Sequence, residues 1–439
     1  MYLKKLYIET YGCQMNVADS EVVSAILQKE NYIFTDKPED ADLILINTCS
    51  IRDNAEIRVK GRLENLRVHK KNNKNLKIGV LGCMAERIKD KILEDEPAVD
   101  MVVGPDAYRD LPKLLEVVSG GTKGVNTLLS LEETYADITP VRLDENNVSA
   151  FVSIMRGCNN LCSYCVVPYT RGRERSRDPE TIIQEVEDLI QKGYKEVTLL
   201  GQNVNSYHWK DDNTDFPDLL ERVSLLSTSI RVRYSTSHPK DLSDKLVKIM
   251  SKHKNICKSV HLPIQSGSNI VLEKMKRRYT RESYLQKISA IRKAMPDVSI
   301  STDIITGFCG ETEEDHRNTL SLMQEVGYDF SYMFKYSERP GTFASKNFED
   351  DVPEEIKTRR LNEIIELQNR LSLESKQKDI GEVYEVLIEG ISKKSSSELF
   401  GRTSQNKVVV FPKMHFQTGD YAFVKITDCT SATLKGIAV

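Results

Sequence analysis

The chain has 439 residues, of which 39% are hydrophobic and 29% charged, and its formal net charge is −3. Such a length exceeds one ordinary core and such a composition describes a soluble globular protein, so two or three domains are expected. Nucleic-acid binding cannot be read from so near-balanced a total charge and would have to come from local patches.

The start, "MYLKKLYIET", alternates apolar with polar residues and contains no signal-peptide core. No later apolar run approaches the roughly 18 residues that cross a bilayer. A cytoplasmic protein without a membrane partner is the expectation. Nine cysteines, an odd number spread over a long chain, point to reduced thiols or metal ligands rather than a disulfide framework.

In chain order, "KKLYIETYG", "ADLILINTC" and "LKIGVLGC" are short apolar runs separated by amphipathic helical patterns such as "NVADSEVVSAILQKE". That alternation predicts an α/β domain with a parallel sheet over residues 1–118. Each run ends in a cysteine, Cys13, Cys49 or Cys83, one βαβ unit from the next. Parallel strands present their carboxyl ends on one edge, where open α/β folds place ligands, so the three thiols should converge. Any one alone reads as an ordinary buried cysteine; three at equivalent strand ends read as metal or cluster ligands.

Residues 119–150 lose the periodicity and read as an interdomain connection. From 151 to 377, "FVSIMRG", "EVTLLGQ", "IRVRYSTS", "SVHLPIQS", "SISTDIITGF" and "YDFSYMFKYS" predict six strands, mostly separated by helices, which fits a partial (β/α)6 barrel better than a full eight-fold one. A long helical pattern from about Pro353 to Gln377 closes this region. The tail, 378–439, alternates in strand fashion between Gly and polar breaks and predicts a small OB-like β-barrel.

Cys158, Cys162 and Cys165 form C-x3-C-x2-C at the end of the first barrel strand. Three thiolates on so short a loop can wrap one corner of a metal cluster and leave one metal open to substrate. Structural zinc wants four closed ligands and no fourth Cys or His lies on this loop, although a distant fourth ligand stays open.

With Tyr164 just before the last cysteine, this motif resembles the radical S-adenosylmethionine (SAM) signature. The resemblance implies a four-iron four-sulfur cluster on the three cysteines, SAM chelated to the open iron, and reductive cleavage of SAM to a 5′-deoxyadenosyl radical. "YGCQMN", "NTCSIRDNAE", "GVLGCMAE", "GCNNLCSYCVVPYTRGRERSR" and "LGQNVNSY" together resemble the methylthiotransferases over essentially the whole chain, including a C-terminal TRAM domain. The details are most like the branch acting on N6-dimethylallyladenosine in tRNA. The resemblance implies a second [4Fe-4S] cluster on Cys13, Cys49 and Cys83. It also implies replacement of the adenine C2 hydrogen by a methylthio group at the expense of two SAM molecules, one donating methyl and one the radical. An unactivated aromatic C–H explains the radical, since no side-chain base removes that proton near neutral pH.

Arg171, Arg173, Arg175 and Arg177 follow the cysteine loop and are candidates to grip tRNA phosphates, or else form a solvated or internally paired loop. "KMKRRYTR", Lys274 to Arg281, reads as a solvated helix end. Tyr164 is a candidate to pack on the SAM adenine, Gln202 and Asn203 to bind the SAM amino end, and Asp303 to contact cofactor, each against a plain structural role. His261 and Gln265 read equally well as structural, and Cys257 and Cys429 as ordinary thiols. Cys309 stands in "GFCGET" where the family usually has proline, and without a partner at ligand spacing it reads as a tolerated substitution.

The expected partners are a tRNA anticodon stem-loop, an electron donor and a donor for sulfur or cluster repair. Two other readings share these features. One is a methylthiotransferase acting on threonylcarbamoyl-adenosine or a ribosomal-protein aspartate; the other is a non-catalytic RNA-binding or electron-transfer iron–sulfur protein.

Overall fold

A computed structural model describes residues 3–50, 53–89, 91–143 and 146–439. Ile51 and Arg52 of "NTCSIRDNAE", and residues 144 and 145 of the expected connection, lie outside the described residues.

The N-terminal domain is built on six parallel strands in the order Tyr32–Phe34, Lys4–Tyr11, Leu43–Thr48, Lys77–Gly82, Met101–Val103 and Gly124–Asn126. Leu43–Thr48 is buried along its whole length because both faces of the sheet are covered. Leu43 and Leu45 pack with Val23 and Leu27 of helix Gln14–Gln28, while Ile44 and Ile46 pack with Val59, Leu63 and Leu66 of helix Asp53–Asn72. The period of two thus splits one apolar strand between two cores.

The connection expected over 119–150 is corrected here. Gly124–Asn126 is the edge strand of the N-terminal sheet, paired with Met101–Val103, and Tyr135 and Ile138 sit in that domain's core. These segments are held by tertiary packing that their short length hides from any periodicity.

Six parallel strands, Ser149–Ser153, Glu196–Leu200, Arg231–Tyr234, Ser259–His261, Ser299–Thr306 and Phe330–Lys335, form the partial barrel. A single parallel bridge, Val232 to Ile256, joins its two halves. Among the described residues no pairing closes the first strand on the last. The outward face of the last strands, with Val260, Ile300 and Ile304, packs in one core with Ile288, Leu322 and Met323 of the surrounding helices. His261, Asp303 and Tyr332 therefore share the opposite, concave face, as their register requires. Met15 and Ala18 of helix Gln14–Gln28 pack against Phe151 and Leu200, which docks the N-terminal sheet edge beside the barrel mouth.

Helix Glu354–Gln377 leads to a closed five-stranded barrel of Val383–Ile391, Glu398–Arg402, Val408–Pro412, Tyr421–Cys429 and Leu434–Ala438. Closure removes the unpaired edges that so small a sheet would otherwise expose. Arg231 and Arg233 anchor it to the larger barrel, donating to the carbonyls of Arg402 and Thr403 at 2.7 Å each. Among the described residues no helix is long and apolar enough to cross a membrane.

Candidate active site

Thr48 pairs with Tyr11 on one side and Gly82 on the other, so Cys49 and Cys83 leave the sheet in register and Cys13 follows one residue later. The carboxyl edge thus gathers three thiols that are far apart in sequence. Gly12 makes this approach possible: its φ is +127°, and a Cβ there would collide with the Cβ of Cys49. Beneath the thiols, Asn16 Nδ2 donates to Asn47 Oδ1 at 3.0 Å and Asn47 Nδ2 donates to the Asn16 carbonyl at 2.8 Å. Cys13 Sγ donates to Asn16 Oδ1 at 3.1 Å. The two asparagines in the quoted motifs therefore tie the first loop to the second.

A hydrogen bond from Cys49 lowers the Cys13 thiol to about 6, helped by the Arg171 charge against the cost of burial. Burial instead raises Cys83, with the Arg171 charge opposing it. Arg171 comes from the barrel domain. Its Nε donates to Cys83 Sγ at 3.1 Å and its guanidinium lies 2.8 Å from Asp19 on helix Gln14–Gln28.

Arg171 belongs to a buried ionic seam between the domains. Arg156 donates to Asp19 at 2.9 Å and lies over the Tyr135 ring, and Arg175 meets both oxygens of Asp106 at 2.9 and 3.0 Å. Burial opposes ionisation of Asp19, yet Arg156 and Arg171 hold its carboxyl below the usual range. Arg177 is paired with Glu185. The expectation of four phosphate-gripping arginines is therefore corrected. Arg171 faces the Cys83 sulfur and Asp19, Arg175 and Arg177 meet carboxylates and carbonyls inside the protein, and Arg173 alone of the four is exposed.

On the barrel side, the Gln202 side-chain oxygen accepts the Gly157 N–H, and Cys158 N–H donates to the Gly172 carbonyl at 3.1 Å. Gly157 has φ +78°, and a Cβ would strike the Arg173 carbonyl. Farther along, Ser163 is strapped to residues 274 and 275 by its hydroxyl and backbone N–H. Burial pushes the Cys158 thiol up to about 11 and, with the neighbouring Cys162, Cys165 up to about 12. Arg277 sits against this group, donating to Cys162 Sγ at 3.2 Å and to the Pro263 carbonyl at 3.0 Å. It is 5% exposed, so the reading of its segment as a solvated helix end is corrected at this residue. Nothing in the spacing of "KMKRRYTR" signals that one of its cations turns inward.

The remaining candidates divide. Tyr164 is half-buried and meets Phe308 edge-on at 6.3 Å, in the cluster that also buries Cys309. Asn203 is buried, donates to Asp241 at 2.8 Å, and has a side-chain oxygen with no partner among the described residues. Gln265, buried at the strand end with φ +72°, also has an unpartnered side-chain oxygen. Asp303 lies 3.4 Å from His261, whose ring meets Tyr332 edge-on. Cys257 is buried and Cys429 half-buried, both away from the two triads in sequence.

Among the described residues no three His, Cys, Asp or Glu side chains converge on one metal-ion position. In a four-iron cluster each cysteine binds a different iron, so its ligands stand farther apart than those of a single ion. Both triads present buried sulfurs whose facing counter-charge is an arginine, Arg171 or Arg277. Thiols raised by burial and by one another ionise when a cationic centre binds, which is the chemistry of an iron–sulfur site.

Comparisons with known proteins agree with this layout. Residues 5–104 match uncharacterized protein family UPF0004, residues 152–323 the radical SAM superfamily and residues 377–439 the TRAM domain. A tRNA-2-methylthio-N(6)-dimethylallyladenosine synthase of Bacteroides fragilis is 58% identical over 436 residues, 99% of this chain and 95% of that protein. The enzyme of the same name from Porphyromonas gingivalis is 55% identical over 441 residues, again 99% of this chain and 95% of that protein. Among solved structures, the radical S-adenosylmethionine methyltransferase TsrM of Kitasatospora setae aligns with a TM-score of 0.59 at 12% identity, covering 78% of this chain and 77% of that one, a likeness of fold. The chain belongs to the radical SAM tRNA methylthiotransferases, in the family of the tRNA-2-methylthio-N(6)-dimethylallyladenosine synthases.

Proposed function

We propose that this enzyme replaces the C2 hydrogen of N6-dimethylallyladenosine, beside a tRNA anticodon, by a methylthio group, using two SAM molecules and two [4Fe-4S] clusters. The observation that carries the reading is the 58% identity, over 99% of the chain, to a relative named for that product. Cys158, Cys162 and Cys165 would hold one cluster and Cys13, Cys49 and Cys83 the other. When bound, the clusters and SAM supply the one-electron and methyl-transfer chemistry that side chains lack.

The chain's own residues do the positioning. Arg277 and Arg171 each donate a charge-assisted hydrogen bond to a ligand sulfur, at 3.2 and 3.1 Å. Gln202 fixes the start of the cysteine loop rather than offering its oxygen to a cofactor. The unpartnered oxygens of Asn203 and Gln265 are suited to the ammonium or hydroxyl groups of SAM, since a buried acceptor without a donor is costly until one arrives. Tyr164 and Asp303 remain candidate cofactor contacts on the same grounds of position. On the concave face, Tyr332 and the His261–Asp303 pair offer a ring face and polar edge to an unstacked base. Arg173 and the TRAM barrel are the proposed tRNA contacts, and an electron donor and a sulfur or cluster-repair donor complete the partners.

The test is mass spectrometry of nucleosides after anaerobically reconstituted protein acts, with SAM and a strong reductant, on tRNA bearing dimethylallyl-adenosine. A methylthio product, with 5′-deoxyadenosine and S-adenosylhomocysteine both formed, is the expected result. Product only from tRNA bearing threonylcarbamoyl-adenosine, or only on a ribosomal-protein aspartate, would overturn the substrate.

A further inference from the structure

Beside the cysteine loop, a cleft of about 690 Å³ is lined by Leu161, Glu273, Lys276, Arg278 and Tyr279 among others. The backbone sets its character. Lys276 and Arg278 have φ of +57° and +56°, and across this turn the side chains alternate: Met275 and Arg277 are buried, Lys276 and Arg278 exposed. Neither exposed cation has a carboxylate partner among the described residues, and Lys276 is held over the Phe343 ring, 3.1 Å from its centroid. Between Cys158 and Cys162 the loop turns Leu161 outward, 59% exposed, while Cys162 faces in. On the same loop, Asn160 Oδ1 accepts from a further cation, Lys240, at 3.1 Å.

The surface therefore has an exposed apolar centre flanked by two cations without carboxylate partners among the described residues, Lys276 and Arg278, with Lys240, which pairs with Asp241, beyond them, on a protein whose total charge is slightly negative. It also lies close to the cluster ligands. Arg277, between the two exposed cations in sequence, touches Cys162 sulfur at 3.2 Å. A small apolar contact ringed by charge suits weak, transient redox encounters, and complementary charge speeds them. An RNA backbone fits less well, because the exposed Leu161 at the centre offers its phosphates no donor.

We infer that this cleft docks a small acidic protein that carries single electrons and serves the cluster held by Cys158, Cys162 and Cys165. The inference rests on the reading of those cysteines given above. One electron leaves the carrier, which is oxidised by one unit, and the cluster is reduced by one unit; no bond is made or broken in the transfer.

The test compares the parent protein with K276E/R278E and, as a milder pair, K276Q/R278Q. The probe is purified flavodoxin, an acidic flavin protein. Three quantities are read: the flavodoxin Kd at low and high salt, SAM cleavage driven by reduced flavodoxin, and SAM cleavage driven by dithionite, which needs no docking surface. For K276E/R278E the Kd and the KM for flavodoxin should rise about tenfold or more, with a smaller rise for the Gln pair and a flatter salt dependence in both. Dithionite-driven cleavage and tRNA affinity should stay at the parent level. An unchanged Kd in K276E/R278E, an equal fall in the dithionite rate in both variants, or a loss of tRNA affinity in place of flavodoxin affinity would overturn the inference. Should the parent fail to cleave SAM with dithionite, the cysteine assignment fails, and the Kd comparison still decides the docking surface.

Discussion

In the barrel, Cys158, Cys162 and Cys165 share one short loop, whereas Cys13, Cys49 and Cys83 follow three different strands of the N-terminal sheet. The loop triad needs local backbone, a Gly157 turn and contacts within its own barrel domain, from Gln202, the carbonyls of residues 274 and 275, and Arg277. The sheet triad needs the register of three strands, the Asn16–Asn47 clamp and an arginine from the other domain. A site written in local sequence tolerates rearrangement elsewhere, while a site written in topology depends on the packing that surrounds it. The two triads should therefore respond differently to the same kind of damage.

The largest separation is expected from removing one ligand on each side. Cys162→Ala should abolish both SAM cleavage and methylthio product. Cys49→Ala should abolish product while part of the 5′-deoxyadenosine formation survives, as chromatography of the reaction mixture would record. Unimpaired product from Cys49→Ala would remove the sheet triad from the reaction.

Next comes the ionic seam. Arg171→Gln leaves Cys83 without its charged donor and Asp19 with Arg156 as its one remaining cation among the described residues, and breaking a buried pair in this way costs about 3–5 kcal/mol. Denaturant unfolding should show that loss, and, of the two clusters proposed above, the electron paramagnetic resonance signal of the one at the sheet edge should change while that of the one on the loop does not. A parent-like midpoint and unchanged spectra would mean that Arg171 supports neither.

Gly12→Ala probes the close approach itself. The positive φ and the collision with Cys49 should cost about 1–3 kcal/mol and lower iron occupancy at the sheet triad only. Iron analysis and thermal melts would detect equal occupancy if the backbone could relax.

The smallest effect concerns Glu86, at the foot of the sheet triad. Burial raises its carboxyl from 4.5 to about 7, with Lys89 opposing. A raised folded value means that this group's stabilising contribution is complete below about 4.5 and is lost as pH rises through about 7. Glu86→Gln, always neutral, should melt like the parent near pH 4 and about 2 °C higher at pH 8. A lower melting temperature for the variant at pH 8 would contradict the sign.

The same contrast governs what the sequence disclosed. C-x3-C-x2-C is visible from spacing alone, and the convergence of Cys13, Cys49 and Cys83 followed from βαβ periodicity. The arginines were less legible, because a guanidinium in a loop reads alike whether it faces a phosphate or a carboxylate. The partners of Arg171 and Arg175, Asp19 and Asp106, lie in another domain and become neighbours only when helix Gln14–Gln28 docks on the barrel. Arg277 was hidden for a backbone reason: non-glycine residues at positive φ on either side of it set the alternation that turns it inward. Met101–Val103 and Gly124–Asn126, three residues each, are too short to carry a period.

Iron and sulfide per chain in two triple variants would test the account most directly. Cys13, Cys49 and Cys83 are changed to Ala in one, Cys158, Cys162 and Cys165 in the other, each reconstituted anaerobically beside the parent. About eight irons in the parent and about four in each variant are predicted on the proposal that each triad holds its own four-iron cluster. Four in the parent, with all of it lost from one variant and none from the other, would contradict two independent sites.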